Sequence, residues 1–567
     1  MRKTKVVLAK VLSAAMVISS FAGVQGITSE AAAKPKLSKK SVSITVGKTK
    51  KITVKNAKKY KVSWKMKSKK IASFKKSGKY AVKVKAKKAG KTTLTATIKK
   101  GKKTKKLVCK ITVKKNSPKV TKTPVNTPTT SPSNVPKTTE VPIVKPTATA
   151  TAEPQDTTPA MKEIFKGVID NVGTCLTYNQ TWNNRKEMQD ASTMEFVDKH
   201  FNSFTLENEM KPDNMLNKKT TISVADAKAK GYVISDDYKE STVPELTLET
   251  IDGVLAIAKQ HNIRMRAHTL MWHQQTPTWF FKKNYDDNEA VVDEATMNAR
   301  LEFFVRTVMR YTMQKEKELT GEVGSIVYAW DVLNEYIHRS NAAAATTWVS
   351  VYGDMGLKPT YVKAAFEYAY DELKKENVQD KVTLFYNDYD TYFSVDDELA
   401  LISYINEGEE AKICGGIGMQ SHVDIKRPTL EEYGNALKAF INAGLEVQIT
   451  ELDITINFDT DDTDGRTPSY GYKNEKETDA DQAAFTKDFI KQIVDIQKNR
   501  DKTISPKGIT GITVWGISDQ TSWRGSCKPL FFTRKSVRVK DETTGKYKTV
   551  YSYVPKKSYE AMIEALK

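Results

Sequence analysis

A chain of 567 residues exceeds what one hydrophobic core sustains, so it holds more than one folded unit. Its 4 cysteines (Cys109, Cys175, Cys414 and Cys527) show no C-x-x-C spacing and are too sparse for a disulfide framework or a cysteine metal centre; export would permit a disulfide that sequence cannot pair, and buried free thiols are the expectation. The net charge of +24 describes neither half: residues 34–115 hold 32 Lys and no Asp, Glu or Arg, whereas residues 158–567 sum to −12.

The first element in chain order is Met1-Arg-Lys-Thr-Lys5 with an apolar stretch to Val24, the layout of a secretory signal. Small-residue cleavage sites lie near Gly26 and at Ala31–Ala33, so residues 1–33 are expected to be removed on export. Lys10 interrupts the apolar run and leaves it short of the ~20 residues a bilayer span needs, and no later segment is long enough either. Residues 34–115 alternate apolar and polar with period two, as in Val42-x-Ile44-x-Val46, Val82-x-Val84-x-Ala86 and Leu107-x-Cys109-x-Ile111-x-Val113. Short strands of this kind, separated by turns such as Ser77-Gly78 and Ala89-Gly90, predict a small β-sandwich with lysines outward. The stretch Ala89–Thr97 resembles a strand pair of bacterial immunoglobulin-like (BIG2-type) domains. Residues 116–157, with 8 Pro, 11 Thr and neither aromatic residues nor Gly, cannot bury a core and predict a semi-rigid linker.

From residue 158 to 567, apolar β-rich runs alternate with amphipathic stretches. Strands are predicted over Gly167–Leu176, Phe201–Glu207, Ile263–Leu270, Ser325–Asn334, Val382–Asp388, Gly416–His422, Val447–Asp453 and Gly511–Ser518. The intervals are helical, as the spacing over Thr360–Leu373 shows. Eight such alternations predict an α/β fold, a (β/α)8 TIM barrel. A doubly wound open sheet is the alternative, but no glycine-rich phosphate turn follows the first strand, and nearly every strand ends on polar residues.

Two of those ends are the most informative. Ser325–Glu335 and Glu446–Asp453 are β-branched runs that lead to Glu335 and Glu451. Strand C-termini of a barrel converge on one mouth. A carboxylate pair facing across that mouth is the equipment of a glycosidase, with one carboxyl as acid/base and the other as nucleophile or base.

Seven stretches carry a closer resemblance: Phe201–Lys211, Arg266–Gln275, Trp330–Glu335, Asn387-Asp388, Gly418–His422, Ile449–Asp453 and Val514–Asp519. In this order, each at a predicted strand end, they resemble glycoside hydrolase family 10 endo-β-1,4-xylanases from about Met161 to Ala565. The resemblance implies a retaining enzyme acting on xylan or xylo-oligosaccharides without metal or organic cofactor, with Glu335 as acid/base and Glu451 as nucleophile. It implies that His422 hydrogen-bonds Glu451, that Asp453 supports His422, and that Asn334 and Gln420 serve the sugar 2-hydroxyl and Glu335. It further implies sugar subsites built from Glu207, Asn208, Lys211, His268, Trp272 and Gln275, and a roof of Trp515, Trp523 and Arg524. His200, His261 and His338 match no motif.

Two stretches depart from the compact pattern: a polar insertion at Asn217–Glu245, and Thr533–Tyr551, which predicts a hairpin near the mouth turning at Thr544-Gly545; the long acidic segment Asp459–Asn474 is expected to shape the same rim. For the lysine-rich segment three readings stand: binding an anionic cell-wall polymer, binding acidic xylan, or acting as a solvated spacer. It has scattered aromatics and no nucleic-acid motif, so nucleic acid is not expected. The chain is expected to be a secreted monomer, tethered to the cell surface if the first reading holds.

Overall fold

A computed structural model describes residues 35–39, 41–57, 60–100, 103–114, 158–180, 185–457, 477–540, 545 and 547–567. The expected signal, linker and acidic segment Asp459–Asn474 lie outside the described residues. The chain divides into two units, one within residues 1–148 and one within 149–567.

The first unit contains β1 (Lys36–Leu37), β2 (Ser41–Thr45), β3 (Thr49–Lys55), β4 (Lys61–Met66), β5 (Ala72–Gly78), β6 (Ala81–Ala86), β7 (Gly90–Lys100) and β8 (Lys103–Lys114). They form two four-stranded sheets, β1-β3-β6-β5 and β2-β8-β7-β4. All pairings are antiparallel except β2 with β8. The period-two pattern is realised in β6, where Val82, Val84 and Ala86 are buried while Lys83 and Lys85 are exposed. Ile52, Val82 and Val84 of one sheet meet Leu94, Cys109 and Ile111 of the other in one core, so the unit is a β-sandwich.

In the second unit eight strands, β9 (Asn171–Leu176), β10 (Ser203–Leu206), β11 (Arg264–Trp272), β12 (Val327–Asn334), β13 (Thr383–Asp388), β14 (Gly416–Met419), β15 (Glu446–Thr455) and β16 (Ile509–Val514), pair in parallel. The β14–β15 and β16–β9 pairings close the ring. Each strand is followed by a helix: α1 (Ala191–His200), α2 (Glu249–Gln260), α3 (Glu294–Thr320), α4 (Thr360–Lys375), α5 (Val395–Ile405), α6 (Leu430–Asn442), α7 (Asp479–Asn499) and α8 (Lys557–Ala565). This is the (β/α)8 barrel read from the alternation.

Local sequence explains the boundaries. Asp293 caps α3 by accepting from the Thr296 amide, and Gly321, at φ 88°, ends it in the left-handed region open to glycine. Thr429 with Glu432, and Thr478 with Asp481, form capping boxes that start α6 and α7. The strands are buried on both faces, as parallel strands under a helical ring must be. A fully buried aliphatic side chain contributes about 1.5–3 kcal/mol. That core holds the barrel, and its mouth can carry buried charge.

The insertion at Asn217–Glu245 folds into a short antiparallel pair, Thr221–Ser223 with Thr242–Pro244, around the helix Val224–Ala229. The predicted hairpin forms as β17 (Phe532–Lys540) and β18 (Tyr547–Pro555). Its base docks on the outer helix α1: Tyr553 packs on Phe196 with centroids 4.3 Å apart, and the Tyr551 amide donates to Ser192 Oγ at 3.0 Å. All four cysteines are buried free thiols.

Candidate active site

Strand β12 stops at Asn334, and Glu335 follows with φ 56°, a left-handed conformation that non-glycine residues adopt rarely. Its amide donates to the Asn387 carbonyl of β13 at 2.8 Å, which holds the turn. Gln275 (φ 43°) and Ser421 (φ 61°) share this conformation just past β11 and β14. Glu451 is placed differently from the strand-end expectation. Strand β15 runs on to Thr455, and Glu451 sits where its pairing with β16 slips between Ile449 and Leu452. Such irregularities re-aim a side chain without ending the strand.

One hydrogen-bond network joins the two carboxylates. Asn387 Nδ2 donates to Glu451 Oε1 at 3.0 Å and to Asn334 Oδ1 at 2.9 Å. Gln420 Nε2 donates to Asn334 Oδ1 at 3.3 Å and to Glu335 Oε1 at 3.1 Å. The Trp272 indole donates to Glu335 Oε2 at 2.8 Å. His422 bridges Glu451 Oε2 (3.2 Å) and Asp453 Oδ2 (2.8 Å), and Asp453 also accepts from the Trp523 indole (2.9 Å) and Arg524 (3.2 Å).

These surroundings drive the two carboxyls apart. Burial first, then the charges of Asp388 and Glu451, push Glu335 up to about 7 against the hydrogen bonds from Gln420 and Trp272. Burial would raise Glu451 as well. The hydrogen bond from His422 and the charges of His268, His422 and Lys211 outweigh it and hold Glu451 at about 2. His422 has the mirror-image balance: burial lowers it, but Asp453 and Glu451 raise it to about 9. At neutral pH it is an imidazolium donating to a carboxylate on each side.

Polar and aromatic groups extend from this pair. Glu207 accepts from Arg185 at 2.7 Å and Gln180 at 3.0 Å. Lys211 donates to Asn208 at 3.3 Å and lies 4.9 Å from the Trp272 ring centroid. His268 engages Asp331 at 2.8 Å, and Trp515 meets the rings of His268 and His422 edge-on at 5.9 and 6.3 Å. Trp523, 37% exposed, carries the Arg524 guanidinium 4.5 Å from its centroid. Asn208 and Gln275 stand in the wall of a cleft of about 640 Å³, with Gln180, Asp213 and Trp279. The amides, carboxylates and flat ring in that wall suit a sugar.

Sequence reading gave no role to three contributors. Asn387 joins the carboxylates and Asp388 lifts Glu335, and a clue lay in their position at a polar strand end. Arg185 lies in a loop with no pattern to reveal it. His338, left without a role, lies 3.2 Å from Asp388, while His200 and His261 are bonded to Tyr559 and Asp198. His338, Asp388 and Glu398 bring one potential ligand atom each within 4.8 Å of one another. Asp388 already accepts from Tyr386, Ile337 and Tyr389, and burial lifts Glu398 well above the carboxylate range. Ser394 donates to Glu398 at 3.1 Å, so the three side chains sit in a hydrogen-bonded cluster.

Among known proteins, the model of glycosyl hydrolase family 10 matches residues 160–551. Endo-1,4-beta-xylanase A of Butyrivibrio fibrisolvens is 40% identical over 352 residues, 62% of this chain and 76% of that one. Endo-1,4-beta-xylanase A of Thermotoga maritima is 29% identical over 388 residues, 67% of this chain but 30% of that longer protein. A Clostridium thermocellum endo-1,4-beta-D-xylanase solved with xylohexaose superposes with a TM-score of 0.50 at 27% identity, covering 72% of this chain and 68% of that one.

Proposed function

The chain belongs to glycosyl hydrolase family 10, and on that footing we propose that it is a secreted, retaining endo-1,4-β-xylanase whose two displacement steps are carried by Glu451 and Glu335. The observation that carries the assignment of roles is the opposed pull on the two carboxyls, to about 2 and about 7, within one network.

In the first step the Glu451 carboxylate attacks the anomeric carbon. The bond from that carbon to the glycosidic oxygen breaks, and the Glu335 proton passes to the leaving oxygen. Glu451 is then a neutral glycosyl ester, so its repulsion of Glu335 is gone, which favours the carboxylate left on Glu335 by the proton transfer. In the second step Glu335 takes a proton from water, the water oxygen attacks the anomeric carbon, and Glu451 is released. His422 and Asp453 keep Glu451 charged and oriented. Asn334, fixed by two donors to its Oδ1, is placed to serve the sugar 2-hydroxyl.

Glu207, Asn208, Lys211, His268, Trp272 and Gln275 bind the sugars on one side of the cut, and Trp515, Trp523 and Arg524 roof them. Xylose lacks the hydroxymethyl arm of glucose, so a close roof selects xylan by steric exclusion of glucose. The N-terminal unit is an immunoglobulin-like domain. Its sheet orders, first-third-sixth-fifth and second-eighth-seventh-fourth, correspond to the ABED and CFG sheets of that fold with one added edge strand, which supports this reading. Export is supported by the basic and apolar N-terminus, and N-terminal sequencing of protein from the culture medium tests it.

Initial rates on soluble xylan and on soluble cellulose, with product stereochemistry by NMR, test the activity. Glu451→Ala is expected to be inactive on both. Glu335→Ala is expected to lose about 10²–10⁴-fold on xylan, much less on an aryl xyloside with a good leaving group, and to regain turnover with azide. Undiminished xylan cleavage by Glu451→Ala would overturn the assignment of the nucleophile.

A further inference from the structure

The sandwich has two outer faces, and lysine is distributed differently on each. On the β1-β3-β6-β5 sheet, register places Lys51 opposite Lys83 and Lys83 opposite Lys75, so three lysines stand in one row across three strands. Lys85 lies two residues along β6 from that row, and at the sheet edge Lys36 stands opposite Lys55. All six are exposed. Neighbouring strands are about 4.8 Å apart, so the row concentrates three positive charges within ~10 Å. Like charges directly opposite on a sheet are destabilising, and residues 34–115 contain no Asp or Glu to offset them. On the β2-β8-β7-β4 sheet the described lysines pair at most two at a time, Lys61 with Lys99 and Lys100 with Lys103, and others meet polar partners: Lys65 faces Thr95, Lys106 faces Thr97, and Lys110 faces Thr93 and Ser41.

We infer that the outer face of the β1-β3-β6-β5 sheet is a docking surface for a linear phosphodiester polymer of the polyol-phosphate kind. The partner must be a polyanion with closely spaced charges, because only that matches adjacent lysines in a row. Acidic xylan fits less well, since its carboxylates sit on branches separated by neutral sugars. Nucleic acid fits less well too. Tyr60, Trp64, Phe74 and Tyr80 are drawn into the sandwich cores and none is an exposed platform for a base. Residues 34–115 also hold no Arg for a bidentate grip on phosphate or a base edge. Lysine gives attraction without readout, which is what a repetitive polymer requires.

The test is binding of the full chain to polyglycerol phosphate across a salt series. Glucuronoxylan and a single-stranded oligonucleotide of equal charge serve as comparators. The expected result is tightest binding to polyglycerol phosphate, with log Kd linear in log salt. The triple variant Lys51→Gln/Lys75→Gln/Lys83→Gln should reduce that salt slope by about two, at ~0.7 per charge removed. The triple Lys65→Gln/Lys106→Gln/Lys110→Gln, with the same loss of net charge, should change it by less than half as much. A cooperative melting transition of the sandwich in both variants confirms that it is folded, and xylan hydrolysis matching the parent chain separates this inference from the catalytic one. Equal losses from the two triples would overturn the face, and equal or tighter binding to the oligonucleotide or the xylan would overturn the partner. No binding at low salt would overturn both.

Discussion

Glu335 and Glu451 show how much of a site one residue type can announce. A carboxylate at the end of an apolar strand is conspicuous in sequence, and Glu335 is one, whereas Glu451 sits inside its strand at a slip in the pairing. The direction in which each is pulled was not legible in sequence, because it depends on Asn387, Asp388 and His422, whose contacts exist only after folding. The structure gives that pull a measurable form. In the roles proposed above, Glu451 loses its nucleophilic charge below about pH 2, and Glu335 lacks a proton to donate above about pH 7. The kcat/KM profile on xylan should therefore fall on its alkaline side near 7. Asp388 contributes by repelling the Glu335 carboxylate, so Asp388→Asn should lower the Glu335 pKa and move that limb to lower pH. An unmoved limb would leave burial and Glu451 as its causes.

The elements were legible as a count and a type, and their ends less so. Strand β14 stops at Met419, and a short extension, His422–Asp424, then pairs with β15 after the turn at Gln420-Ser421, whereas the alternation had run the strand through to His422. Irregular pairing at the mouth ends of β11, β12 and β15 is invisible to periodicity because it is a property of strand pairs. One consequence of that close pairing concerns Gly418 of β14. A Cβ there would lie 2.3 Å from Asn387 Oδ1 and 2.7 Å from the Arg266 guanidinium. Gly418→Ala must then displace the amide that joins Asn334 to Glu451. It should cost about 1–3 kcal/mol by urea unfolding and, beyond that, about 10²-fold in kcat at temperatures where the variant is folded. A folded variant with the kcat of the parent would show that Asn387 does not position the nucleophile.

At the scale of the whole molecule, the charge imbalance alone separated a basic unit from an acidic one, and the structure divides the chain within the Pro/Thr-rich segment between them. The barrel ties its charge into ion pairs, such as Arg306 with Glu302, Asp371 and Glu372. The sandwich has no internal acid with which to do so. The row Lys51–Lys83–Lys75 therefore makes ionic strength a variable of folding. Taking salt from about 0.01 to about 1 M shortens the Debye length from ~30 to ~3 Å, less than the spacing of the row. In calorimetry the sandwich should melt at a higher temperature as salt is added, while the ion-paired barrel gains nothing or loses. A single protein would then show two transitions moving apart or crossing along one salt axis, a small halophile joined to an ordinary enzyme.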